Sequence, residues 1–242
     1  MEIKRIFASR SMPDYLNRTL ISLIPKCQHP ETFGSYRPIS LCNSVYKIVT
    51  KIVVGRIRPL LNKLVSSIQA AFVPSKRDLD NIIIAQELIH SIDNKRGKDG
   101  YMAIKVDLEK AYDRLEWNFI HKVLQAYHFP SKLITLIMSC VSSTSISILF
   151  NGSMMDSFQP SRGIRQGDPL SPYLFILCME YLGSLIDKEC IEGDWAPIKA
   201  SRGNLEISHL FLVNDLILFA KVNEEGSEAI KEVLDLFCNE SG

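Results

Sequence analysis

The stretch Ser208-His-Leu-Phe-Leu-Val-Asn-Asp-Leu-Ile-Leu-Phe219 places two apolar runs on either side of Asn214 and Asp215. Leu, Ile, Val and Phe suit a pleated, buried surface, whereas Asn and Asp are turn formers because their side chains bond nearby backbone. The segment therefore reads as a tight hairpin. A carboxylate at the tip of a buried hairpin is costly unless something pairs with it. A second acid, Asp107, ends another strand-like run, Met102-Ala-Ile-Lys-Val106. Two acids so placed point to a shared cation.

Such a cation matters most if a polyanion is held beside it, and the charge distribution suggests one. The net charge of +1 conceals an uneven division. Residues 1–98 carry 16 Lys and Arg against 7 Asp and Glu, a balance of +9; residues 99–242 carry 12 against 20, a balance of −8. Phosphates need Lys and Arg, while divalent metals need carboxylates. A chance surface bias gives the same arithmetic, so the division supports the chemistry without establishing it.

Other classes fit less well. At 46% hydrophobic content, 242 residues can bury a sizeable core, as one large domain or two subdomains. The six cysteines form no Cys-x-x-Cys pair and no cluster with histidine, which argues against a zinc site or a disulfide framework and for a reduced, intracellular protein. The longest apolar run, Tyr173 to Met179, is too short to span a bilayer, and the start Met-Glu-Ile-Lys-Arg has no signal-peptide apolar region. No membrane association is expected.

Along the chain, Thr19 to Ile24 is an apolar run closed by Pro25, and the residues before it have no clear signature. In Gly34-Ser-Tyr-Arg-Pro-Ile-Ser-Leu-Cys-Asn43, Pro38 holds Arg37 extended, a presentation that suits a phosphate as well as an ordinary surface loop. Helical spacing runs from Ser44 to Leu61 with basic outer positions, and again from Asp78 or Asp80 to a stop at Lys95-Arg-Gly97. After the strand ending at Val106 come Asp107-Leu-Glu-Lys-Ala-Tyr-Asp113 and a helix through Trp117, Ile120, Val123, Leu124 and Tyr127. A helix at 132–142, a strand at Ser145 to Phe150 and the hairpin dipeptide Asn151-Gly152 follow. Arg162-Gly-Ile-Arg-Gln-Gly-Asp-Pro-Leu-Ser-Pro172 is a glycine-punctuated polar loop before a helix starting at Ser171-Pro172, where amide groups and the helix dipole favour an anion. Residues 193–206 read as a connection, and Ser227 to Cys238 as a last amphipathic helix.

Acids on strand ends, a polar loop at a helix start and a basic lobe suggest two-metal phosphoryl transfer. Two dications about 4 Å apart repel by about 16 kcal/mol at an effective dielectric of ~20, so carboxylates must offset them. At these residues the chain closely resembles the reverse transcriptase of LINE-type, non-LTR retrotransposons, particularly the plant version. The likeness runs in order through Leu23-Ile-Pro-Lys26, Tyr36 to Asn43, Gln69-Ala-Ala-Phe-Val-Pro74, Asp80-Asn81, Lys105 to Asp113, Phe150-Asn-Gly152, Arg162 to Pro172 and His209 to Phe219.

The resemblance implies an α+β fold, the fingers and palm of a right-hand polymerase. The fingers come from basic residues 1–98 and the palm, with its ferredoxin-like core, from acidic residues 99–242. It implies copying of an RNA template from a DNA primer with deoxynucleotides and Mg²⁺. Asp107 matches the first metal-binding aspartate, with the Leu108 carbonyl as an extra ligand. Tyr112 matches the ring that excludes a ribose 2′-OH, although core packing would also explain it. Gln166 resembles the residue touching the incoming nucleotide's sugar, beside the plainer reading of a loop hydrogen bond. Arg37 and Lys26 match fingers residues that touch its triphosphate. An address in the nucleus or the cytoplasm would be inherited from the family.

Two departures qualify this. The family ends its hairpin in aromatic-any-Asp-Asp, but here the sequence is Leu212-Val-Asn-Asp215, so Asn214 occupies the principal hairpin metal position. Asparagine keeps shape and one carbonyl oxygen but loses a full charge, leaving Asp107 and Asp215 as the family-matched acids. Activity lowered by orders of magnitude is expected, with the second ion's hold weakened. Ser75-Lys76, where the family commonly has Gly-Arg, is a milder change. By the family pattern, the thumb and the amino-terminal endonuclease are expected to lie outside this sequence. The readings left open are an impaired polymerase, a catalytically silent transposon remnant that at most binds nucleic acid, and an RNA-binding protein like the maturases of group II introns.

Overall fold

The computed structural model of the chain describes residues 2–66, 78–95, 100–199, 206–212 and 215–242. In chain order these form helix α1 (Glu2–Ser9), strands β1 (Arg18–Pro25) and β2 (Tyr36–Cys42), and helices α2 (Ser44–Leu64) and α3 (Asp78–Asn94). Strand β3 (Tyr101–Asp107) and helices α4 (Ala111–Arg114), α5 (Trp117–Ala126) and α6 (Ser131–Ser142) come next. Strands β4 (Ser145–Phe150) and β5 (Ser153–Met154) precede the long helix α7 (Ser171–Glu192). Strands β6 (Ile198–Lys199), β7 (Glu206–Ile207), β8 (His209–Leu212) and β9 (Asp215–Lys221) and helix α8 (Glu224–Ser241) complete the chain. None of these helices is long and apolar enough to cross a membrane.

The α+β character expected from the sequence holds. Two compact units divide the chain, Met1–Ile57 with Ala111–Phe175, and Arg58–Lys110 with Ile176–Gly242, so each draws on both sides of position 98.

The first unit is built on the sheet β2-β1-β4-β5, in which β1 pairs antiparallel with β2 and parallel with β4. The β4–β5 turn is the one its dipeptide specifies: Asn151 and Gly152 have φ of 48° and 81°, the left-handed pair that a two-residue hairpin requires. Helix α5 buries Phe119, Ile120, Val123 and Leu124, and α6 buries Ile134, Ile137 and Cys140, each along one stripe.

The second unit centres on β3-β9-β8, antiparallel throughout. One face of this sheet carries Leu216, Leu218, Ala220, His209 and Phe211, all buried. The other face is apolar at Leu210 and Phe219, where Ala85 and Leu88 of α3 pack with Ile198 and Ile207. Asn81 fixes α3 there by donating from Nδ2 to the Phe211 carbonyl at 3.1 Å. Helix α8 starts at Asn223, whose Oδ1 accepts from the Gly226 amide at 3.1 Å.

Two expectations are corrected. The segment 193–206 is not merely a connection, because Ile198–Lys199 and Glu206–Ile207 pair as β6 and β7; two-residue strands are too short to show alternation. The start of the chain, which had no signature, forms α1 and buries Ile6.

Candidate nucleotidyl-transfer site

The β3–β9 register sets Asp107 directly opposite Asp215, and β8–β9 sets Leu212 opposite Asp215 as well. Opposed residues of an antiparallel pair lie about 4.5–5.5 Å apart at Cα and project their side chains to the same face. The two acids that the sequence singled out are thus brought together. Both are open to solvent: Asp107 is exposed, and the Asp215 side chain keeps 33% of its surface. Strand alternation adds Lys105 to this face, and its Nζ lies 3.0 Å from Asp215 Oδ2. Lys105 escaped the sequence reading, because its place beside Asp215 depends on the β3–β9 register as well as on strand alternation.

Two like charges opposed across a ladder destabilise it unless a cation intervenes, and the Lys105 ammonium answers only one of them. Among the described residues Asp107 has no hydrogen-bond or ion-pair partner. A pair of oxygen donors at an open strand end, one already drawing a cation to 3.0 Å, fits a divalent ion in donor chemistry and in charge. Leu108 follows, half-buried. Asn214 lies outside the described residues, as do Gln69 to Pro74 and Ser75-Lys76.

In the first unit the glycine-punctuated loop is stapled at several points. The Gly163 amide donates to the Leu115 carbonyl at 2.8 Å, the Ile164 amide to the Tyr112 carbonyl at 2.7 Å, and Trp117 Nε1 to the Gly163 carbonyl at 2.9 Å. Gly163 is obligatory: its φ is 89°, and a Cβ would stand 2.8 Å from the Asp113 carbonyl oxygen. Further along, the Ser40 amide of β2 donates to the Gln166 carbonyl at 2.8 Å. Gln166, half-buried, lines a cavity of about 330 Å³ together with Ser40, Asp113, Thr144, Arg162 and Phe158.

Tyr112 is half-buried, its ring stacked on Phe175 with centroids 4.9 Å apart, and burial pushes its hydroxyl up to about 12. It therefore stays a neutral ring with one side packed. Arg37 projects exposed from β2. Lys26 is exposed too, with Nζ 3.0 Å from the Gly34 carbonyl.

The anion expected at the start of α7 is supplied by the protein itself. Asp168 Oδ1 accepts from the Leu170 amide at 3.0 Å, and Asp168 Oδ2 from the Tyr46 hydroxyl at 2.5 Å. Arg165 lies beside it, with Nη2 3.5 Å from Asp168 Oδ2 and its guanidinium 4.2 Å above the Tyr46 ring. The sequence assigned no role to any of these three residues, although Arg165 and Asp168 lie in its glycine-punctuated loop motif.

Comparison with known proteins places the chain in a family. The family of reverse transcriptases (RNA-dependent DNA polymerases) matches residues 24–242. The transposon TX1 uncharacterized 149 kDa protein of Xenopus laevis is 29% identical over 75% of this chain and 14% of its own length. The Pol polyprotein of the Drosophila melanogaster type-2 retrotransposable element R2DM is 27% identical over 93% of this chain and 20% of its own. An uncharacterized mitochondrial protein of Arabidopsis thaliana is 45% identical over 67 residues, 28% of this chain and 55% of its own length. The chain thus spans a small part of its retrotransposon relatives.

Among solved structures, telomerase from Candida tropicalis lacking its C-terminal domain aligns with 91% of this chain and 47% of its own, at TM-score 0.61 and 20% identity. The same enzyme with a fragment of telomeric RNA covers 99% and 42%, at 0.64 and 17%. At that identity the likeness establishes the fold alone, the fingers and palm of a polymerase. Polymerases of this family use divalent metal ions. The chain belongs to the reverse transcriptase family, in the branch of the non-LTR retrotransposons.

Proposed function

We propose that this chain is an RNA-directed DNA polymerase domain weakened at its metal centre by Asn214. The observation that carries this reading is the opposition of Asp107 and Asp215 across β3 and β9 at the open end of the sheet. Asp107, the Leu108 carbonyl and Asp215 would hold Mg²⁺, which when bound lowers the pKa of an attacking hydroxyl and steadies the leaving pyrophosphate. Lys105, with Nζ 3.0 Å from Asp215 Oδ2, holds that carboxylate in place until a stronger cation arrives.

The other roles follow the family pattern. Gln166 contacts the incoming sugar, Tyr112 presents a neutral, packed ring that rejects a 2′-OH, and Arg37 and Lys26 take up triphosphate charge. The basic residues 1–98 favour an RNA template and a DNA primer, and the telomerase likeness with bound RNA supports the same class of partner. An amide at 214 leaves the centre one carboxylate short. That loss corresponds to several kcal/mol of transition-state stabilisation, a rate lowered by about 10²–10³.

Primer extension on an RNA template with Mg²⁺ or Mn²⁺ tests this directly. Asn214→Asp is expected to extend about 10²–10³-fold faster than the unmodified chain. Equal, robust extension by both would remove Asn214 from the account. Failure of Asn214→Asp either to extend a primer or to bind primer–template would sink the polymerase reading.

A further inference from the structure

The loop that carries Gln166 is held by a buried network to whose members the resemblance above assigns no role. Its hub is Arg165, whose side chain is 8% exposed. Arg165 Nη1 donates to Asn17 Oδ1 and Thr19 Oγ1, both at 2.8 Å, and Nη2 donates to the Cys140 carbonyl at 3.0 Å. Asp168, at 3%, completes the charge and is itself saturated by the Tyr46 hydroxyl and the Leu170 amide. Burial and the Asp168 carboxylate push the Tyr46 hydroxyl well above its usual range, so it remains a donor.

The placement of these groups is informative. Arg165 and Asp168 straddle Gln166-Gly167, and both are tied to elements outside the loop: the residues beginning β1, helix α2 and helix α6. Between them the backbone is fixed as well, because the Ser40 amide bonds the Gln166 carbonyl, and Gly167, with φ of 98°, comes so near β2 that a Cβ would lie 3.1 Å from the Ser40 carbonyl oxygen. Every polar side chain in this stretch is committed except the Gln166 amide. That amide has no partner among the described residues and belongs to the cavity wall.

We infer that Tyr46, Arg165 and Asp168 act together as positioning residues that fix Gln166 in the cavity; Arg165 and Asp168 also reach its wall, but their polar atoms are committed to protein partners. The inference rests on the proposed contact between Gln166 and the nucleotide's sugar, and its first test is independent of that contact. A buried ion pair adds little net stability over apolar packing, but it specifies one arrangement when every donor and acceptor is matched. Here the arrangement specified is the height and direction of a four-residue loop.

Hydrogen exchange of Tyr46→Phe and Asp168→Asn provides the test. Amides of residues 163–169 are expected to exchange about tenfold faster or more, and by a larger factor than those of α5, because the lost bond releases the loop before the rest of the fold. Unchanged loop exchange in both variants overturns the inference. The second measurement uses the Asn214→Asp background. Tyr46→Phe is expected to raise KM for the deoxynucleotide about tenfold with kcat within about twofold, and to add nothing to Gln166→Ala. Additive losses overturn it. If Asn214→Asp extends no primer, the polymerase reading has failed, and the exchange result alone decides for or against the positioning network.

Discussion

Asp168 and Asp107 are the same side chain under opposite conditions. Asp168 is buried, and its oxygens accept from a hydroxyl, an amide and a guanidinium. Asp107 stands exposed at a strand end opposite another acid, with one nearby ammonium already taken by Asp215. A saturated buried carboxylate has no capacity left for a ligand and can only organise the protein. An unsaturated pair in the open costs the fold little and keeps its coordination free. Unmet charge at a strand end, more than the presence of acids, marks where chemistry belongs.

The largest expected effect tests that contrast head on. Asp168→Ala strands Arg165 in a buried site and should destabilise the protein by about 3–5 kcal/mol in urea unfolding. Asp107→Ala removes an exposed like-charge neighbour and should stay within about 0.5 kcal/mol of the parent. Similar losses from the two would erase the distinction.

His209 supplies a third condition, burial with half the partners. Its Nδ1 lies 2.9 Å from Ser208 Oγ, while Nε2 is buried against Gly183 with no hydrogen-bond partner among the described residues. Burial lowers its pKa to about 4 from 6.5. The unfolded chain therefore takes up a proton below about pH 6.5 that the folded protein refuses until about pH 4, so stability is full above that window and falls as pH drops through it. At 1.36 kcal/mol per pH unit the loss approaches about 3 kcal/mol. Urea midpoints measured from pH 7.5 to 4.5 should show it in the parent and not in His209→Gln. An equal slope in both would mean that the ring is hydrated and belongs with the exposed groups.

Much of this architecture was legible because it rests on local rules. Asn151-Gly152 specified its turn, and helical spacing specified α2, whose Val49, Val53 and Ile57 are buried while Ile48, Ile52 and Leu60 of the same expected stripe are exposed. Asp107 and Asp215 were found because each ends an apolar run. What stayed hidden was long-range: the parallel pairing of β1 with β4 joins residues over 120 positions apart, and no local pattern encodes it. The Tyr46–Asp168 bond spans 122 positions, so neither partner could advertise the other. Lys105 was missed for a different reason, since its role appears only once strand alternation is combined with register.

The loop glycines sharpen the comparison further, because they separate the cost of conformation from the cost of space. Gly163 and Gly152 both have positive φ, but a Cβ at Gly163 meets the Asp113 carbonyl oxygen at 2.8 Å, and one at Gly152 meets nothing within 4 Å. Gly152→Ala should cost about 1 kcal/mol, the conformational penalty alone. Gly163→Ala should cost about 2–3 kcal/mol, since the loop must also move. Equal losses, read from thermal or urea midpoints, would show that the loop yields freely and is not stapled.

The smallest effect is the one that probes the open acids themselves. A cation that binds only the folded protein stabilises it by RT ln(1 + [L]/Kd), about 0.4 kcal/mol at half-saturation and about 1.4 kcal/mol at ten times Kd. For a chain of this size that is about 1 °C and about 3–6 °C in Tm. With two carboxylates and a competing lysine, the unmodified chain should sit near the lower figure in millimolar Mg²⁺. Asn214→Asp should move toward the higher one, because a third carboxylate deepens the site. Asp107→Asn should abolish the rise, while Asp168, already satisfied, contributes nothing to it. A rise that survives Asp107→Asn would place the ion elsewhere and leave the opposed acids as an ordinary charged edge.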